Sequence, residues 1–327
     1  MPEQSKAGAG SEGAFIMNKD LEISGTIVGG LCWDRLTRER MKQPLAIENF
    51  GYRVYSENDE DGILREIFKR IGTETKEFVE FGVENGLECN SHFLLHLGWH
   101  GLWLEGNRDC CKQIVERFRP VIKDGRLKVK NAFITRENID ALISENRNIK
   151  TEGCMPDLLS IDLDGNDWYI WEAVRSIKPR VVCIEYNGKF PPDLEWKQAY
   201  NSRHVWDKTD WQGASLKAME LLGNEKGYVM VGTNLTGANA FFVREDLYLA
   251  DRFLDQNTAE QLYNPYRKSR LKFEAPGHEA RYCLVGQKEN RGFLNYYASE
   301  EACRRARRKE KIKKLKKIAK KMISGLL

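Results

Sequence analysis

Long apolar runs are missing from this sequence: nowhere in its 327 residues do ~18 apolar residues follow one another, so no membrane-spanning helix is expected. The first stretch, Met1 to Met17, is small and polar. It lacks the apolar h-region of a secretory signal, reads as disordered, and leaves a cytoplasmic location as the expectation. Cysteine is present eight times but never as Cys-x-x-Cys, and no His-x-x-x-His follows. That pattern excludes a zinc ribbon and a disulfide framework, so the thiols are read as reduced and structural. Internal repeats are also lacking.

Apolar residues make up 41% and charged residues 31%, ordinary globular usage with a packed core. The net charge of +4 hides an asymmetry. Residues 304–327 hold 12 Lys/Arg and one acid, net +11, which leaves 40 bases and 47 acids, net −7, for the rest. An acidic body carries a basic tail, and the two need separate readings.

Along the body, an amphipathic helix is expected over 59–71, with Ile63, Leu64, Ile67, Phe68 and Ile71 on one side and Gly72 ending it. An alternation follows. Strands are expected at 77–81, 101–105, 127–133, 157–162 and 180–185, with helices at 87–97, 108–118, 136–145 and 168–176 between them. Strand alternating with helix at this spacing means a parallel sheet built from βαβ units. A loop over 186–213, a helix over 215–226, and two strands at 228–231 and 240–243 close the pattern. The short Gly/Asn/Thr link between the last two predicts antiparallel pairing. The expected fold class is therefore α/β: a doubly wound, Rossmann-like, seven-stranded sheet with five parallel strands and a terminal antiparallel hairpin.

Three groups of residues carry candidate chemistry. The first strand runs into Glu80-Phe81-Gly82-Val83-Glu84-Asn85-Gly86. Glycines let a backbone turn tightly under a ligand. This turn has no Gly-x-Gly-x-x-Gly triplet for a pyrophosphate, and its acids suit an ammonium-bearing ligand instead. Glu105 closes the second strand, where an acid accepts hydrogen bonds from ribose hydroxyls. Asn131, near the end of the third strand, falls at the same edge. Third, Asp162-Leu163-Asp164-Gly165-Asn166-Asp167 crowds carboxylates at the end of the fourth strand, and Glu185 ends the fifth. The acid spacing and the lack of a closing Glu exclude an EF-hand. Asp162, Asp164 and Glu185 together suit Mg2+ or another divalent cation, or equally a base and substrate-positioning groups.

The segments 78–90, 157–167, 181–187, 213–216 and 239–244 resemble the motifs of FkbM-like and related class I S-adenosylmethionine-dependent O-methyltransferases, in the order that sheet requires. The resemblance spans about 77–247. It implies that Glu80, Gly82 and Gly86, with Asn85 and Asn131, line the cofactor, that Glu105 holds its ribose, and that Asp162 sits beside its methionine end. With the composition of the two ends, the expected division is a disordered 1–17, an N-terminal extension over 18–72, the methyltransferase domain over 73–250, an extension over 251–303 and the basic amphipathic tail helix over 304–327.

The expected reaction is methyl transfer to a hydroxyl of a sugar, glycoconjugate or small molecule. A hydroxyl needs a base, and Asp164, Glu185 and His204 are the candidates; a lone loop histidine such as His204 is also commonly just solvated. Trp196, Tyr200, Trp206 and Trp211 in the same loop either face a sugar ring or pin the loop. His92, His96 and His100 show metal-like spacing without an acid to complete a set, and are read as packing or surface groups. In the tail, Ile312, Leu315, Ile318, Ala319, Met322, Ile323 and Leu326 give one apolar stripe on a lysine-rich helix, the pattern of peripheral binding to an anionic membrane surface. Two rivals remain: a nucleic-acid methyltransferase docking through that tail, disfavoured by the acidic body and the lack of Asn/Asp-Pro-Pro-Tyr/Phe, and a non-catalytic membrane-anchored scaffold.

Overall fold

The computed structural model describes residues 35–147, 155–206 and 209–266. The first compact unit comprises 1–206 and 212–274; of the second, 207–211 and 275–327, only 209–211 belong to the described residues. The basic tail and residues 1–17 lie outside them.

Helix α1 (Glu60–Ile71) precedes strand β1 (Glu77–Phe81). Helix α2 (His92–His96), strand β2 (His100–Glu105), helices α3 (Arg108–Arg117) and α4 (Arg119–Lys123) and strand β3 (Leu127–Asn131) follow. The chain continues through α5 (Ile139–Asn146), β4 (Leu158–Ile161), α6 (Asp167–Ala173) and β5 (Val181–Glu185). It ends with α7 (Leu216–Glu225), β6 (Tyr228–Thr233), β7 (Asn239–Arg244) and the short α8 (Ala259–Leu262). One seven-stranded sheet has the order β3-β2-β1-β4-β5-β7-β6. The pairs from β3 through to β5 are parallel, while β7 runs antiparallel to both β5 and β6. This is the sheet the alternation predicts.

Burial explains which sequence signals were strong. All five residues of β1 and all four of β4 are buried. Helices cover both faces, so these strands need no polar alternation. One core layer gathers Val79, Leu102, Leu159, Val182 and Phe242 with Trp171 of α6 and Met219 of α7. The other gathers Phe78, Trp103, Leu158, Val181 and Phe241 with Ile63, Ile67 and Phe68 of α1. Each fully buried side chain of this size is worth about 1.5–3 kcal/mol of transfer free energy. The described part of the N-terminal extension is therefore part of the core, not an appendage.

The one long discrepancy is the helix expected over 87–97. Residues 87–91 form turns and only His92–His96 is helical. The reason is local. Glu80 on β1 accepts hydrogen bonds from the backbone N–H groups of Asn90 (2.8 Å) and Ser91 (3.0 Å), which holds the chain in a turn ahead of the helix. The expected helix over 136–145 likewise starts only at Ile139, because Asn138 Oδ1 accepts from Thr135 N at 2.8 Å and builds a turn there. Elsewhere the expected ends differ by one to three residues, the largest difference being the helix expected to reach 176, which ends at Ala173.

Candidate functional site

The sheet order reverses between β1 and β4, so the crevice at their carboxyl ends is where a ligand is expected. Phe81 pairs with Ile161, which sets Gly82 beside Asp162. Gly82 has φ +72°, and a Cβ there would overlap the Asp162 carbonyl oxygen. The first glycine of the turn is thus required by backbone-on-backbone contact. Glu84 also has positive φ, 49°, a conformation costly without glycine. Gly86 serves a different purpose: a side chain on it would run into Trp103 and Phe118. Asn85 is half-buried, and its Oδ1 accepts from Leu87 N at 3.0 Å within the turn.

Glu80 is buried and turned inward. Its carboxylate takes the Asn90 and Ser91 N–H groups and the Ser91 hydroxyl, and that hydroxyl accepts from Trp103 Nε1 at 2.7 Å. The geometry gives Glu80 the shaping of the turn. Glu105, at the end of β2, is 7% exposed and accepts from Glu84 N (2.8 Å) and Asn107 N (2.6 Å). Burial raises its pKa, against the pull of those N–H donors. The Gly106 N–H adds to that pull, and of the about four acceptor sites of a carboxylate one is left for a ligand. Asn131 donates through Nδ2 to the Glu105 and Gly106 carbonyl oxygens and closes the edge of this crevice. Phe133 lies beside Gly106 and is 49% exposed, an uncovered aromatic face that sequence reasoning passed over. Flanked by Ala132 and Ile134, it reads in the sequence only as the end of a strand.

At the other side of the crevice, Asp162, Asp164 and Glu185 present carboxylate oxygens within 4.8 Å of one another. Burial pushes Asp162 and Glu185 well above the usual carboxylate range, reinforced at both by the charges of Asp164 and Asp167 and at Glu185 by that of Asp162. Burial, with Asp167 and Glu84 adding to it, pushes Asp164 up to about 6. Asp164 has φ 53°, and although the residue as a whole is exposed, its carboxyl is turned in among the neighbouring acids. The turn that presents it is held by Asp167, whose carboxylate accepts from Leu163 N (2.7 Å) and Gly165 N (2.9 Å). Asn239, the register partner of Glu185 on β7, has a buried Oδ1 without a hydrogen-bond partner among the described residues. An oxygen-rich, strongly negative donor set beside an orphaned amide oxygen fits a hard divalent cation.

The loop after β5 does reach this edge. His204 Nε2 lies 2.9 Å from the Asp164 carbonyl oxygen, and its ring occupies the space that a Cβ on Gly165 would fill. The structure therefore brings Asp162, Asp164, Glu185 and His204 together. The loop aromatics are largely occupied in packing. Trp196 lies against Phe190 (ring centroids 4.3 Å), and Tyr200 lies against Tyr169 (5.2 Å) with its hydroxyl 2.6 Å from Glu137. His92 and His96 stack on Tyr55 at 4.0 and 5.0 Å, and burial lowers the His92 pKa, in keeping with a packing role. His100 opens β2 instead of joining their helix.

The sequence left the role of the N-terminal extension open, and the structure supplies one. Asp61 Oδ2 accepts from three successive backbone N–H groups, Val54 (2.7 Å), Tyr55 (2.6 Å) and Ser56 (2.9 Å). This pins a strap across the crevice edge and brings Glu57 within electrostatic range of Asp162, Asp164 and Glu185. Behind it, Glu60 is fully buried and accepts from Asn234 Nδ2 (2.7 Å) and Asn239 Nδ2 (2.9 Å), tying α1 to the β6–β7 hairpin.

No protein-family model matches this chain, and no curated protein matches it. Among solved structures, similarity is found to an O-methyltransferase from Bacillus cereus in complex with SAH, at 14% identity and a TM-score of 0.38, over 65% of this chain and 90% of that one. It is also found to TrmK of M. capricolum in complex with S-adenosyl-homocysteine, at 10% identity and a TM-score of 0.34, over 55% of this chain and 67% of that one. An S-adenosylmethionine-dependent methyltransferase from Clostridium acetobutylicum is similar at 9% identity and a TM-score of 0.34, over 55% of this chain and 89% of that one. Among the described residues, no helix is long and apolar enough to cross a membrane.

Proposed function

We propose that this chain is an S-adenosylmethionine-dependent O-methyltransferase, acting on a hydroxyl of a sugar, glycoconjugate or small molecule. One observation carries the reading. At the reversal of strand order, a left-handed glycine turn closes against the Asp162 carbonyl while Glu105 bridges to that turn and keeps an acceptor site free. That is a cradle for a ligand with ribose hydroxyls at one end and positive charge at the other. S-adenosylmethionine, when bound, supplies an electrophilic methyl group on a sulfonium. In this reading Glu105 accepts from the ribose, Phe133 offers a face to the adenine, and Asp162 with its neighbours stabilises the positive end.

The chain's own part in transfer is positioning and proton removal. Asp164 titrates near 6, so at pH 7–8 it is mostly ionised and able to take the acceptor's proton as the oxygen–methyl bond forms. His204 and Glu57 bound the same space, His204 through the Asp164 backbone. Asp162, Asp164 and Glu185 would hold a divalent cation if the reaction uses one, and the chemistry such an ion would supply is a lowered pKa for a coordinated hydroxyl. The alternative of a nucleic-acid acceptor has no observation at the cluster in its favour, since its carboxylates repel phosphates. Peripheral membrane docking through 304–327 remains part of the proposal.

Photo-crosslinking with tritiated S-adenosylmethionine tests the reading. Label should appear in peptides from 80–90, 103–110 and 131–135 and be blocked by S-adenosyl-homocysteine. Label elsewhere, or label insensitive to that competitor, would remove it.

A further inference from the structure

A second candidate site lies at the β3 edge of the sheet, away from the carboxylates. A groove of about 580 Å3 runs between α3 and β3, within the size range of small-ligand sites. Its floor is apolar, made by Cys111, Val115 and Val129, and its rim carries the exposed cations Arg108, Lys112 and Arg119. Glu116 and Asn131 also line it. Lys112 is shared with Asp109 at 2.8 Å, an exposed pair. Arg108 and Arg119 have neither a hydrogen bond nor an ion pair among the described residues.

The charge here runs against that of the body. Residues 108–130 hold eight Lys/Arg and three Asp/Glu, net +5. The rest of the chain up to residue 303 holds 32 Lys/Arg and 44 Asp/Glu, net −12. Lysines on an edge strand such as β3 also discourage edge-to-edge pairing, which accounts for Lys128 and Lys130. That reason does not reach Arg108, Lys112 and Arg119, which belong to helices. Nor does the cofactor reading use them. The groove lies three inter-strand spacings, about 14 Å, from the strand that ends at Asp162.

We propose that this groove binds a nucleoside phosphate, with the base against the Val115–Val129 floor and the phosphates on Arg108, Lys112 and Arg119. Guanidinium forks suit phosphate oxygens bidentately. The groove meets the cofactor crevice at Asn131, but its cations and its apolar floor belong to neither the turn nor Glu105, and it needs no cofactor to form.

Calorimetric titration of ADP into the full chain tests it, with Arg119→Glu and Lys112→Glu as variants. Both positions are exposed, so folding should be retained, and circular dichroism checks that. Submillimolar ADP binding, weakened at least tenfold in each variant and unaffected by saturating S-adenosyl-homocysteine, is the expected result. Absence of ADP binding would overturn the proposal. So would binding that both variants retain, which would place the nucleotide elsewhere, the basic tail included. Displacement of ADP by S-adenosyl-homocysteine would assign it to the cofactor crevice instead. Arg119-dependent capture by phosphatidylglycerol vesicles without ADP binding would make the groove a membrane contact and likewise overturn it.

Discussion

Replacing Asp59 by Asn should make the protein more stable at pH 8 and leave it little changed at pH 4. Asp59 is 6% exposed beneath the strap, next to the buried Glu60, and its Oδ1 has no partner among the described residues. Burial, with the Glu60 charge adding to it, pushes its pKa from 3.8 up to about 7. Between those values the folded chain holds a proton that the unfolded chain has released, so stability falls as pH rises through that window. A shift of about three pKa units corresponds to ~4 kcal/mol at pH 8, at 1.36 kcal/mol per unit. Asparagine removes the charge and keeps an oxygen for the Leu235 N–H, which Asp59 now accepts at 3.2 Å. The expected gain at pH 8 is about 2–4 kcal/mol, since relaxation around an ionised Asp59 recovers part of its cost. Urea unfolding of both proteins at pH 4 and pH 8 measures this, because the other titrating groups are common to the two and cancel in the difference. Equal stability differences at the two pH values would refute the reasoning.

Gly82→Ala should cost more than about 3 kcal/mol, because a left-handed backbone and a collision with the Asp162 carbonyl act together; thermal unfolding would show it, and S-adenosyl-homocysteine binding should disappear. Phe133→Ala should weaken S-adenosyl-homocysteine about tenfold, the scale of one lost base–aromatic stack, with no change in melting temperature since the ring is half exposed. Mn2+ followed by electron paramagnetic resonance should bind at pH 8 and bind more weakly as pH falls, because protons compete with the ion for the three carboxylates, and Asp164→Asn should abolish binding. Retention of Mn2+ by that variant would place the ion elsewhere.

The sheet was legible because its signals are local and redundant. The apolar run Val181-Val182-Cys183-Ile184 can only be a strand buried on both faces, and the Gly/Asn/Thr link before Asn239 can only be a tight return. The meeting of Asp162, Asp164 and Glu185 followed from topology, since parallel strands end on one edge. What escaped the sequence depends on contacts distant along the chain. Glu80, expected to line the cofactor, also shapes its own turn by accepting from residues ten and eleven positions later, and no pattern announces that. The strap escaped for the same reason: its anchor is one Asp61 carboxylate oxygen shared by three backbone N–H groups. Phe133 looked like the end of a strand, and only the exposure of its ring beside Gly106 marks it as a face for a ligand.

Calorimetric titration of S-adenosylmethionine into the wild-type chain and into Glu105→Ala tests the central claim most directly. Micromolar binding to the wild type, lost in the variant while the variant keeps its cooperative unfolding, is the result the cradle geometry predicts. A folded wild-type protein that takes up no S-adenosylmethionine, with or without magnesium, would contradict it.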